Sequence, residues 1–344
     1  MMLVSDFDYK LPSHLIAQTP LLERDTSRMM VLCRESGDII HSRFEEFPNY
    51  LNKGDVLILN DTKVIPARLW GKKEERDIEF LFLRELKKNV WEVLCRPARR
   101  VKLDDLISFQ PGFEGRVIKI EPEGRRLLQF SSKDVFSTIK NIGFAPLPPY
   151  IKRKIKDTSW RSLDLERYQT VFAQKESAIA APTAGLHFTP QTLKKIKTKG
   201  VKIAHISLDV GLATFQPVRV KHVENHKMLE ETYSINPAAS RTVNEAKIES
   251  RPIVAVGTTS VRTLESAFTE GKVRPGRDST SLFIYPGYEF KCVDRLLTNF
   301  HLPQSTLLMM VAAFAGLNLI KKAYREAVRQ KYRFYSYGDC MFII

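Results

Sequence analysis

The chain has 344 residues, 43% of them apolar and 27% charged, which is a globular composition long enough for roughly two domains. Lysine and arginine number 54 against 39 acidic residues, and the net charge of +15 favours nucleic acid as a partner, ahead of an anionic membrane surface. The four cysteines are scattered without a C-x-x-C pair, which argues against a zinc ribbon or a disulfide framework and favours a reducing cytosol.

Neither the N-terminus nor the apolar runs indicate export or membrane insertion. Residues 1–8 lack the basic-then-apolar order of a signal peptide. The longest apolar run, 307–319, is interrupted by Gly316 and Asn318 and is shorter than the roughly 20 residues that span a bilayer. We therefore expect a cytoplasmic protein with no membrane contact.

A polar cluster at 24–28 precedes the first predicted strand, 29–33. In this cluster Arg24 and Arg28 flank Ser27, and such a group could hold an anion. Clusters of this kind are more often solvated turns, so both interpretations stay open.

Polar residues directly follow the apolar strand predicted at 55–59. They begin with Asn60 and Asp61 and continue with Lys63 and Arg68. A short buried strand that ends in polar groups is typical of the site of an α/β sheet. Asn60 and Asp61 are equally plausible as turn formers, whereas Lys63 and Arg68 favour a function.

Between residues 71 and 144 the pattern changes to short alternating segments. They recur roughly every ten residues, with turn signals such as Pro111-Gly112 and Glu123-Gly124 between them. This spacing predicts a small antiparallel β-barrel. The predicted segments are 78–83, 91–96, 106–109, 116–120 and 125–130.

Two basic segments are candidates for contact with nucleic acid. The first is a connecting loop at 96–102. It could contact phosphates, although a loop that is only solvated is almost as plausible. The second ends a proline-rich linker, 145–154, where Tyr150 next to basic residues suits a nucleotide and its backbone, although such linkers are common. The basic residues are Arg96, Arg99, Arg100, Lys152, Arg153 and Lys154.

The stretch 178–189 is a run of small residues that closes on His187, just before a predicted helix. Small residues such as Gly185 let the backbone approach a flat ligand, and Thr183 and His187 supply side chains for hydrogen bonds. Thr189 can cap the helix, whose amide groups favour negative charge. From this stretch alone, a structural histidine in a tight turn is equally plausible.

The chain lacks the common metal and dinucleotide motifs. His222 and His226 are four positions apart, but a zincin needs Glu directly after the first histidine and Val223 occupies that position. No G-x-G-x-x-G and no Walker loop occur, so a standard dinucleotide fold and a methyltransferase with its usual glycine-rich loop are unsupported. We expect neither a metal nor a tightly bound cofactor.

A buried strand predicted at 252–256 leads into Gly257, Thr258 and Thr259, which open a helix. This order makes an anion cradle of amide groups and hydroxyls, with Arg262 within one turn. The cradle would suit a phosphate or an amino-acid carboxylate.

A second lone histidine, His301, follows Asn299 and precedes another helix start at Ser305 and Thr306. This helix is apolar on every side and is therefore expected to be buried, which would fix its N-terminus in the interior. Two histidines that each precede a helix start favour a functional site over two unrelated structural histidines. The C-terminal segment, 332–344, adds aromatic residues and a carboxylate, either as a stacking surface or as ordinary core.

Several motifs spread over the whole chain match one family: 6–9, 15–18, 60–69, 180–189, 256–262, 298–306 and 332–339. Together they resemble the S-adenosylmethionine:tRNA ribosyltransferase-isomerases of queuosine biosynthesis. The resemblance implies a discontinuous mixed α/β domain, 1–70 plus 151–344, with a small antiparallel β-barrel domain inserted at 71–150.

The resemblance also implies a reaction. The ribosyl moiety of S-adenosylmethionine, a co-substrate, is transferred and isomerised onto 7-aminomethyl-7-deazaguanine (preQ1) at the wobble position of tRNA, which gives epoxyqueuosine-tRNA, adenine and methionine. This use of the sulfonium fits the missing methyltransferase loop. The expected partners are S-adenosylmethionine and tRNA that carries preQ1, and we expect a monomer.

As a hypothesis, this reaction needs a base beside the sulfonium, an acid that assists adenine departure and contacts for the methionine carboxylate. His187 and His301 are the acid/base candidates, with the two roles unassigned. Asp61 or Asp339 could orient one of them or hold ribose hydroxyls. Asn299 suits the adenine edge. The expected substrate-binding residues are Asn60, Lys63, Arg68, Thr183, Gly185, Gly257, Thr258, Thr259, Arg262, Asn299, Ser305, Thr306 and Tyr335.

The chain departs from the family pattern at a few positions. Asp209 and Leu229 stand where similar proteins have histidines, Ala213 replaces a glycine in the motif that Asp209 opens, and Glu176 replaces another glycine. The two missing histidines motivate a rival interpretation, an RNA-binding protein that has lost activity. A rival among enzymes is an ordinary RNA methyltransferase.

Overall fold

A computed structural model describes residues 1–132, 134–211 and 218–344. The chain forms two compact units. The larger comprises Met1–Lys63, Gln169–Lys175 and Ala181–Ile344, and the smaller comprises Val64–Tyr168 and Glu176–Ala180. The insertion predicted at 71–150 falls within the smaller unit, whose limits extend past it on both sides.

The strands and helices are numbered in chain order. The strands are β1 Arg28–Leu32, β2 Ile39–Arg43, β3 Val56–Asn60, β4 Thr62–Val64, β5 Arg68–Lys73, β6 Arg76–Lys87, β7 Val90–Arg96, β8 Leu106–Gln110, β9 Phe113–Ile120, β10 Arg125–Phe130, β11 Lys175–Ala178, β12 Lys202–Leu208, β13 Glu231–Ile235, β14 Ile253–Val256, β15 Phe268–Thr269, β16 Lys272–Val273, β17 Gly276–Thr280, β18 Arg295–Asn299 and β19 Cys340–Ile343. The α-helices are α1 Val135–Ile142, α2 Arg161–Arg167, α3 Pro190–Thr198, α4 Pro237–Ile248, α5 Thr258–Ala267, α6 Thr306–Ala315 and α7 Leu317–Arg329.

The larger unit is built on a nine-stranded mixed sheet with the strand order β17-β13-β12-β3-β14-β18-β19-β1-β2. The central strands β12, β3, β14 and β18 are parallel to one another. β19 runs antiparallel to β18, with Asn299 opposite Cys340, and β1 runs parallel to β19, with Met29 opposite Cys340. The carboxyl ends of the central strands therefore lie on the same edge as the starts of β19 and β1.

An aromatic cluster packs under this edge and supports the histidine segment. The ring of Phe44 lies 4.9 Å from that of Phe188 and 5.4 Å from that of His187, while Phe47 lies 5.0 Å from Phe342 of β19. Phe44, Phe47, Phe188 and Phe342 are fully buried. Because aromatic burial contributes strongly to core stability, this cluster fixes the 3₁₀ helix Thr183–His187 against the sheet.

The smaller unit contains a closed antiparallel barrel with the strand order β10-β7-β6-β5-β8-β9. Its interior holds aromatic rings, for example Phe113 and Phe130 stacked at 4.8 Å. A side chain at Gly71 would meet Ile107 Cγ2 at 2.5 Å, so this strand needs glycine there. The predicted mixed α/β class with a small antiparallel barrel is confirmed. Within the barrel, the one strand that the sequence did not predict is β5, which completes it.

Helix α6 is buried along most of its length, as its apolar composition predicts. Gly316, with φ +86°, ends α6 and separates it from α7. Across the described ranges, no single helix is long and apolar enough to cross a membrane, and α6 with α7 passes that test only as a pair bent by 115°.

Candidate active site

Polar residues from separate segments of the larger unit meet at the carboxyl edge of the central strands. Asn60 ends β3, Gly257 follows β14, and Asn299 ends β18. Asp339 directly precedes β19, and the 3₁₀ helix that ends in His187 packs beside β18. The edge therefore has the location that ligand sites occupy in open α/β sheets.

His187 lies at the centre of this edge and is bonded on both sides of its ring. Its Nδ1 lies 2.7 Å from Ser27 Oγ, and its Nε2 lies 3.2 Å from Asn299 Nδ2. Asn299 Nδ2 also donates to the carbonyl oxygens of Tyr335 at 3.2 Å and Asp339 at 3.4 Å. Ser27, His187 and Asn299 are all buried.

The imidazole of His187 is neutral near pH 7. Burial, together with the positive charges of Arg24 and Arg333, lowers the pKa of His187 to about 3. A neutral imidazole can accept a proton or make hydrogen bonds, but it does not carry the ionic proton of an imidazolium. The site therefore favours a proton acceptor at this position.

His301 is held through its backbone as well as its ring. Its Nε2 lies 2.7 Å from Thr298 Oγ1, its N–H donates to the Tyr324 hydroxyl at 2.9 Å, and the Tyr9 hydroxyl donates to its carbonyl at 2.5 Å. Burial lowers the pKa of His301 to about 3. This second histidine is thus neutral too, and it is rigidly placed.

The two aspartates bond to groups other than these histidines. Asp61 Oδ1 accepts from the Ser207 hydroxyl at 2.5 Å. Asp339 accepts from the backbone N–H groups of Arg28 at 3.0 Å and Arg333 at 2.8 Å, and burial raises its pKa. These bonds join segments of the backbone around the site rather than orient an imidazole.

The residues predicted to make an anion cradle lie at the start of α5. Gly257 caps this helix with φ +85°, a left-handed conformation that favours glycine. The first amide groups of a helix have no partner within it. Thr259 Oγ1 is buried and has no hydrogen-bond partner among the residues that the structure describes. Amides and hydroxyls are therefore present as expected from the sequence.

Arg262 does not add its charge to the cradle. Its guanidinium forms a buried ion pair with Glu231 and also donates to the carbonyls of Leu282 at 3.1 Å and Thr280 at 3.4 Å. Arg262 and Glu231 are only 5% and 3% exposed in their side chains. Its donors therefore bind the protein itself.

Gly185 and Thr183 belong to the same 3₁₀ helix as His187. A Cβ on Gly185 would lie 2.8 Å from atoms of both Thr170 and Phe172, so the close approach at this glycine is to the chain itself. Thr170 Oγ1 is another buried hydroxyl without a partner in the described part of the chain.

Besides Asp61, the residues predicted after β3 are Asn60, Lys63 and Arg68, and they do not all belong to the same unit. Asn60 connects the ends of β3 and β12. The Leu208 N–H donates to Asn60 Oδ1 at 3.1 Å, and Asn60 Nδ2 donates to the Leu208 carbonyl at 3.3 Å. Lys63 lies in β4 and is half-buried. Arg68 belongs to the smaller unit, where it pairs with Glu79 at 3.0 Å and burial lowers its pKa.

Ser305, Thr306 and Tyr335 have evident structural roles. Ser305 Oγ accepts from the N–H of Leu308 at 3.2 Å and so caps α6, whose first residue is the buried Thr306. Tyr335 has φ +70°, which is a strained conformation for a tyrosine. Its N–H donates to the Phe300 carbonyl at 3.2 Å, and its own carbonyl faces Asn299.

The basic residues expected to contact tRNA all lie in the smaller unit. All but one are exposed: Arg96, Arg99, Arg100, Lys152 and Lys154. Arg153 instead makes a bidentate ion pair with the buried Asp164 at 2.8 and 2.9 Å and lies 4.7 Å from the Trp160 ring centre.

Sequence reasoning gave no site role to Tyr9 or Tyr324, and it left Ser27 undecided between an anion-binding cluster and a solvated turn. Ser27 is 2% exposed and reaches His187, which lies 160 positions away in the chain. The arginines on either side of Ser27 were the only signal. Nothing local in the sequence marks Tyr9 or Tyr324 as partners of the His301 backbone.

The departures from the family pattern lie partly outside the described residues, because Ala213 belongs to 212–217. Leu229 is 42% exposed, so it lies on the surface. The Asp209 N–H donates to the Thr232 carbonyl at 2.9 Å. Glu176 pairs with Lys140 at 2.9 Å. In the described ranges, no group of three or more His, Cys, Asp or Glu could hold a metal ion.

Comparisons with known proteins match the whole chain. The family described as queuosine biosynthesis protein matches residues 4–343. The S-adenosylmethionine:tRNA ribosyltransferase-isomerase of Carboxydothermus hydrogenoformans is 49% identical, over 100% of both chains. The enzyme of the same name from Acetivibrio thermocellus is 50% identical, over 99% of this chain and 100% of its own. A solved structure of an S-adenosylmethionine tRNA ribosyltransferase from Thermotoga maritima is 38% identical, with a TM-score of 0.56, and covers 99% of this chain and 100% of its own.

Proposed function

The chain belongs to the queuosine biosynthesis protein family, and we infer from this membership that it is an S-adenosylmethionine:tRNA ribosyltransferase-isomerase. One observation carries the inference: relatives of that name are 46–50% identical to this chain over almost its entire length. The chain thus transfers and isomerises the ribosyl moiety of S-adenosylmethionine onto preQ1 in tRNA, with release of adenine and methionine.

Asn299 is the residue that we propose to contact adenine. Its Nδ2 donates to the carbonyls of Tyr335 and Asp339 and also lies 3.2 Å from His187 Nε2, whereas its Oδ1 is buried and has no partner among the described residues. A buried acceptor without a donor costs about 1–3 kcal/mol. The exocyclic amino group of adenine is a donor that would satisfy this oxygen.

The start of α5 is the proposed position for the methionine carboxylate. Helix N-termini bind anions through free amide groups, and the unpartnered hydroxyl of Thr259 would add a donor there. Thr258, the first residue of the helix, and the left-handed Gly257 complete this cradle. Arg262 contributes indirectly, since its pairing with Glu231 holds the helix in place.

His187 is the proposed proton acceptor. A neutral ring with bonds on both nitrogens is well positioned to take the proton beside the sulfonium once the substrate displaces one of these bonds. His301 is proposed to assist adenine departure by a hydrogen bond from its neutral ring, since burial disfavours the imidazolium form. Its backbone is fixed by Tyr9 and Tyr324, which gives its ring a defined position.

The exposed cations of the smaller unit are proposed to bind tRNA phosphates. Five of the six predicted residues are exposed, and the net charge of +15 suits an anionic partner. A monomer in the cytoplasm remains the expectation for the chain.

Mass spectrometry of the products tests the function. The purified protein would be incubated with S-adenosylmethionine and preQ1-containing tRNA, and free adenine would be quantified in parallel. We expect epoxyqueuosine-tRNA and adenine in equal amounts, and none with tRNA that lacks preQ1. S-adenosylhomocysteine would instead indicate a methyltransferase. Unchanged tRNA that still binds would indicate the inactive RNA-binding protein.

A further inference from the structure

Ser27 forms a buried hydrogen bond with the ring of His187, and no role has yet been given to Ser27 itself. Ser27 Oγ lies 2.7 Å from Nδ1 of the ring, and both residues are less than 5% exposed. Ser27 directly precedes β1, so it is fixed by the sheet on one side and by this bond on the other. A short bond between two rigidly held groups constrains the ring strongly.

The orientation of the Asn299 amide follows from its neighbours. The carbonyls of Tyr335 and Asp339, at 3.2 and 3.4 Å, can only accept hydrogen bonds, so the atom that faces them is the amide nitrogen. The same nitrogen lies 3.2 Å from His187 Nε2. An amide nitrogen cannot accept a hydrogen bond, so a proton on Nε2 would point at a donor. The 3.2 Å contact therefore fits an Nε2 that carries no proton.

The location of the ring proton then follows. A neutral imidazole carries one proton, and with Nε2 as acceptor this proton is on Nδ1. Its partner there is Ser27 Oγ, which accepts the bond. The Nδ1–H bond to a fixed oxygen sets which nitrogen is basic, in the way that partners of catalytic histidines generally do.

We propose that Ser27 is a positioning residue that holds His187 as the Nδ1–H tautomer and thereby leaves Nε2 as the basic nitrogen of the site. The proposal rests on the function inferred above, since it names the nitrogen that takes the substrate proton. Ser27 itself contacts no substrate. Without its oxygen, the Nδ1–H group is buried and unpaired, and the ring loses the bond that selects its tautomer and orientation.

Nuclear magnetic resonance of the enzyme with ¹⁵N-labelled histidine tests the tautomer directly. The signals of His187 are assigned by their loss in His187→Gln. In the unsubstituted protein we expect a protonated Nδ1 and an unprotonated Nε2. In Ser27→Ala we expect this single tautomer to be lost. A proton on Nε2 of the unsubstituted enzyme would overturn the proposal, whether or not Ser27→Ala folds.

Steady-state kinetics measure the consequence. Ser27→Ala should lower kcat at least about tenfold, with the KM for both substrates little changed, because a wrong tautomer impairs chemistry rather than binding. Ser27→Thr, which keeps the hydroxyl, should recover most of this loss. The matched control is Ser240→Ala, which removes another buried hydroxyl, bonded to the Val273 carbonyl at 2.8 Å, away from the site.

The outcomes separate the proposal from the function on which it rests. An unchanged kcat in Ser27→Ala, or an equal loss in Ser240→Ala, would refute the positioning role while adenine release by the unsubstituted enzyme still stands. Failure of the unsubstituted enzyme to release adenine would refute the function, and the resonance experiment would still report the tautomer.

Discussion

At the scale of single residues, His187 and His301 connect the chemistry of the site to the stability of the fold. Burial lowers the pKa of each from 6.5 to about 3. The folded protein therefore keeps both rings neutral at a pH at which the unfolded chain has already protonated them. Each histidine therefore lowers the free energy of unfolding as the pH falls below about 6.5. This loss of stability stops near pH 3, the pKa of both histidines in the folded protein.

We predict that the free energy of unfolding falls between pH 6.5 and pH 4.5, with each histidine contributing about 1.4 kcal/mol per pH unit. Denaturant titrations at these two pH values measure it. His301→Gln should flatten the dependence by that amount, whereas His14→Gln, at an exposed position, serves as the control. Equal slopes for all three proteins would contradict burial of a neutral His301.

The buried pair of Arg262 and Glu231 tests whether an arginine near the site acts on substrate or on the fold. Arg262→Met should destabilise the protein by about 3–5 kcal/mol, because it leaves the Glu231 carboxylate buried without its partner. Arg262→Met combined with Glu231→Leu should regain most of that loss. Thermal and denaturant unfolding measure both.

In the double variant we expect the KM for S-adenosylmethionine to stay within about threefold of the original, because the arginine donors bind Glu231 and two carbonyls. A stable double variant with a KM raised a hundredfold would instead assign Arg262 to the carboxylate of the substrate. The sequence could not anticipate this pairing, since Glu231 lies 31 positions from Arg262 and the strand and helix are brought together only by folding.

At the scale of elements, the start of α5 shows a conflict between stability and binding. Thr259 Oγ1 is buried without a partner in the described ranges, so it lowers stability in the absence of ligand. By contrast, Thr263 lies one turn later and its hydroxyl donates to the Thr259 carbonyl at 3.0 Å. Two threonines in one helix therefore have opposite effects on the fold.

Thr259→Val should stabilise the unliganded protein by about 1 kcal/mol and raise the KM for S-adenosylmethionine about tenfold. Thr263→Val should do the reverse, with a loss of about 1 kcal/mol and an unchanged KM. Thermal unfolding and initial rates distinguish the two. If Thr259→Val left KM as it was, the cradle would not hold the substrate.

The strands also show which features of the fold the local sequence pattern could predict. The sequence predicted polar residues after a buried strand at Asn60 and Gly257, and a lone histidine just after Asn299. The parallel register of β3, β14 and β18 places these three positions on one edge. β5 was not predicted because its segment, Arg68–Lys73, has no clear apolar alternation. It forms a strand because it pairs with β6. Ser27 was left ambiguous because its partner is distant in the chain.

At the scale of the whole molecule, the charge of +15 predicts strongly salt-dependent binding of tRNA. Replacing Arg96, Arg99, Arg100, Lys152 or Lys154 by Gln should each reduce the slope of log K against log salt by about 0.7–0.9. Filter binding from 50 to 200 mM salt, a range in which such slopes are well resolved, measures it.

Arg153→Gln is the matched control for these variants. Because Arg153 is committed to the buried Asp164, we expect it to destabilise the protein and leave the salt slope unchanged. If none of the five exposed substitutions changed the salt slope, this surface would be excluded from tRNA binding. That result would not contradict the proposed reaction.

The pairing of β1 with β19 has a consequence for synthesis of the protein on the ribosome. Asp339 accepts a hydrogen bond from the N–H of Arg28, 311 positions earlier, and the strand that follows Asp339 lies between β1 and the rest of the sheet. Ser27 and β1 emerge first but cannot join the sheet until β19 has left the exit tunnel. The edge that carries the candidate site is therefore completed only after Asp339 has emerged. A chain that stops before Asp339 contains nearly every candidate site residue without forming the site.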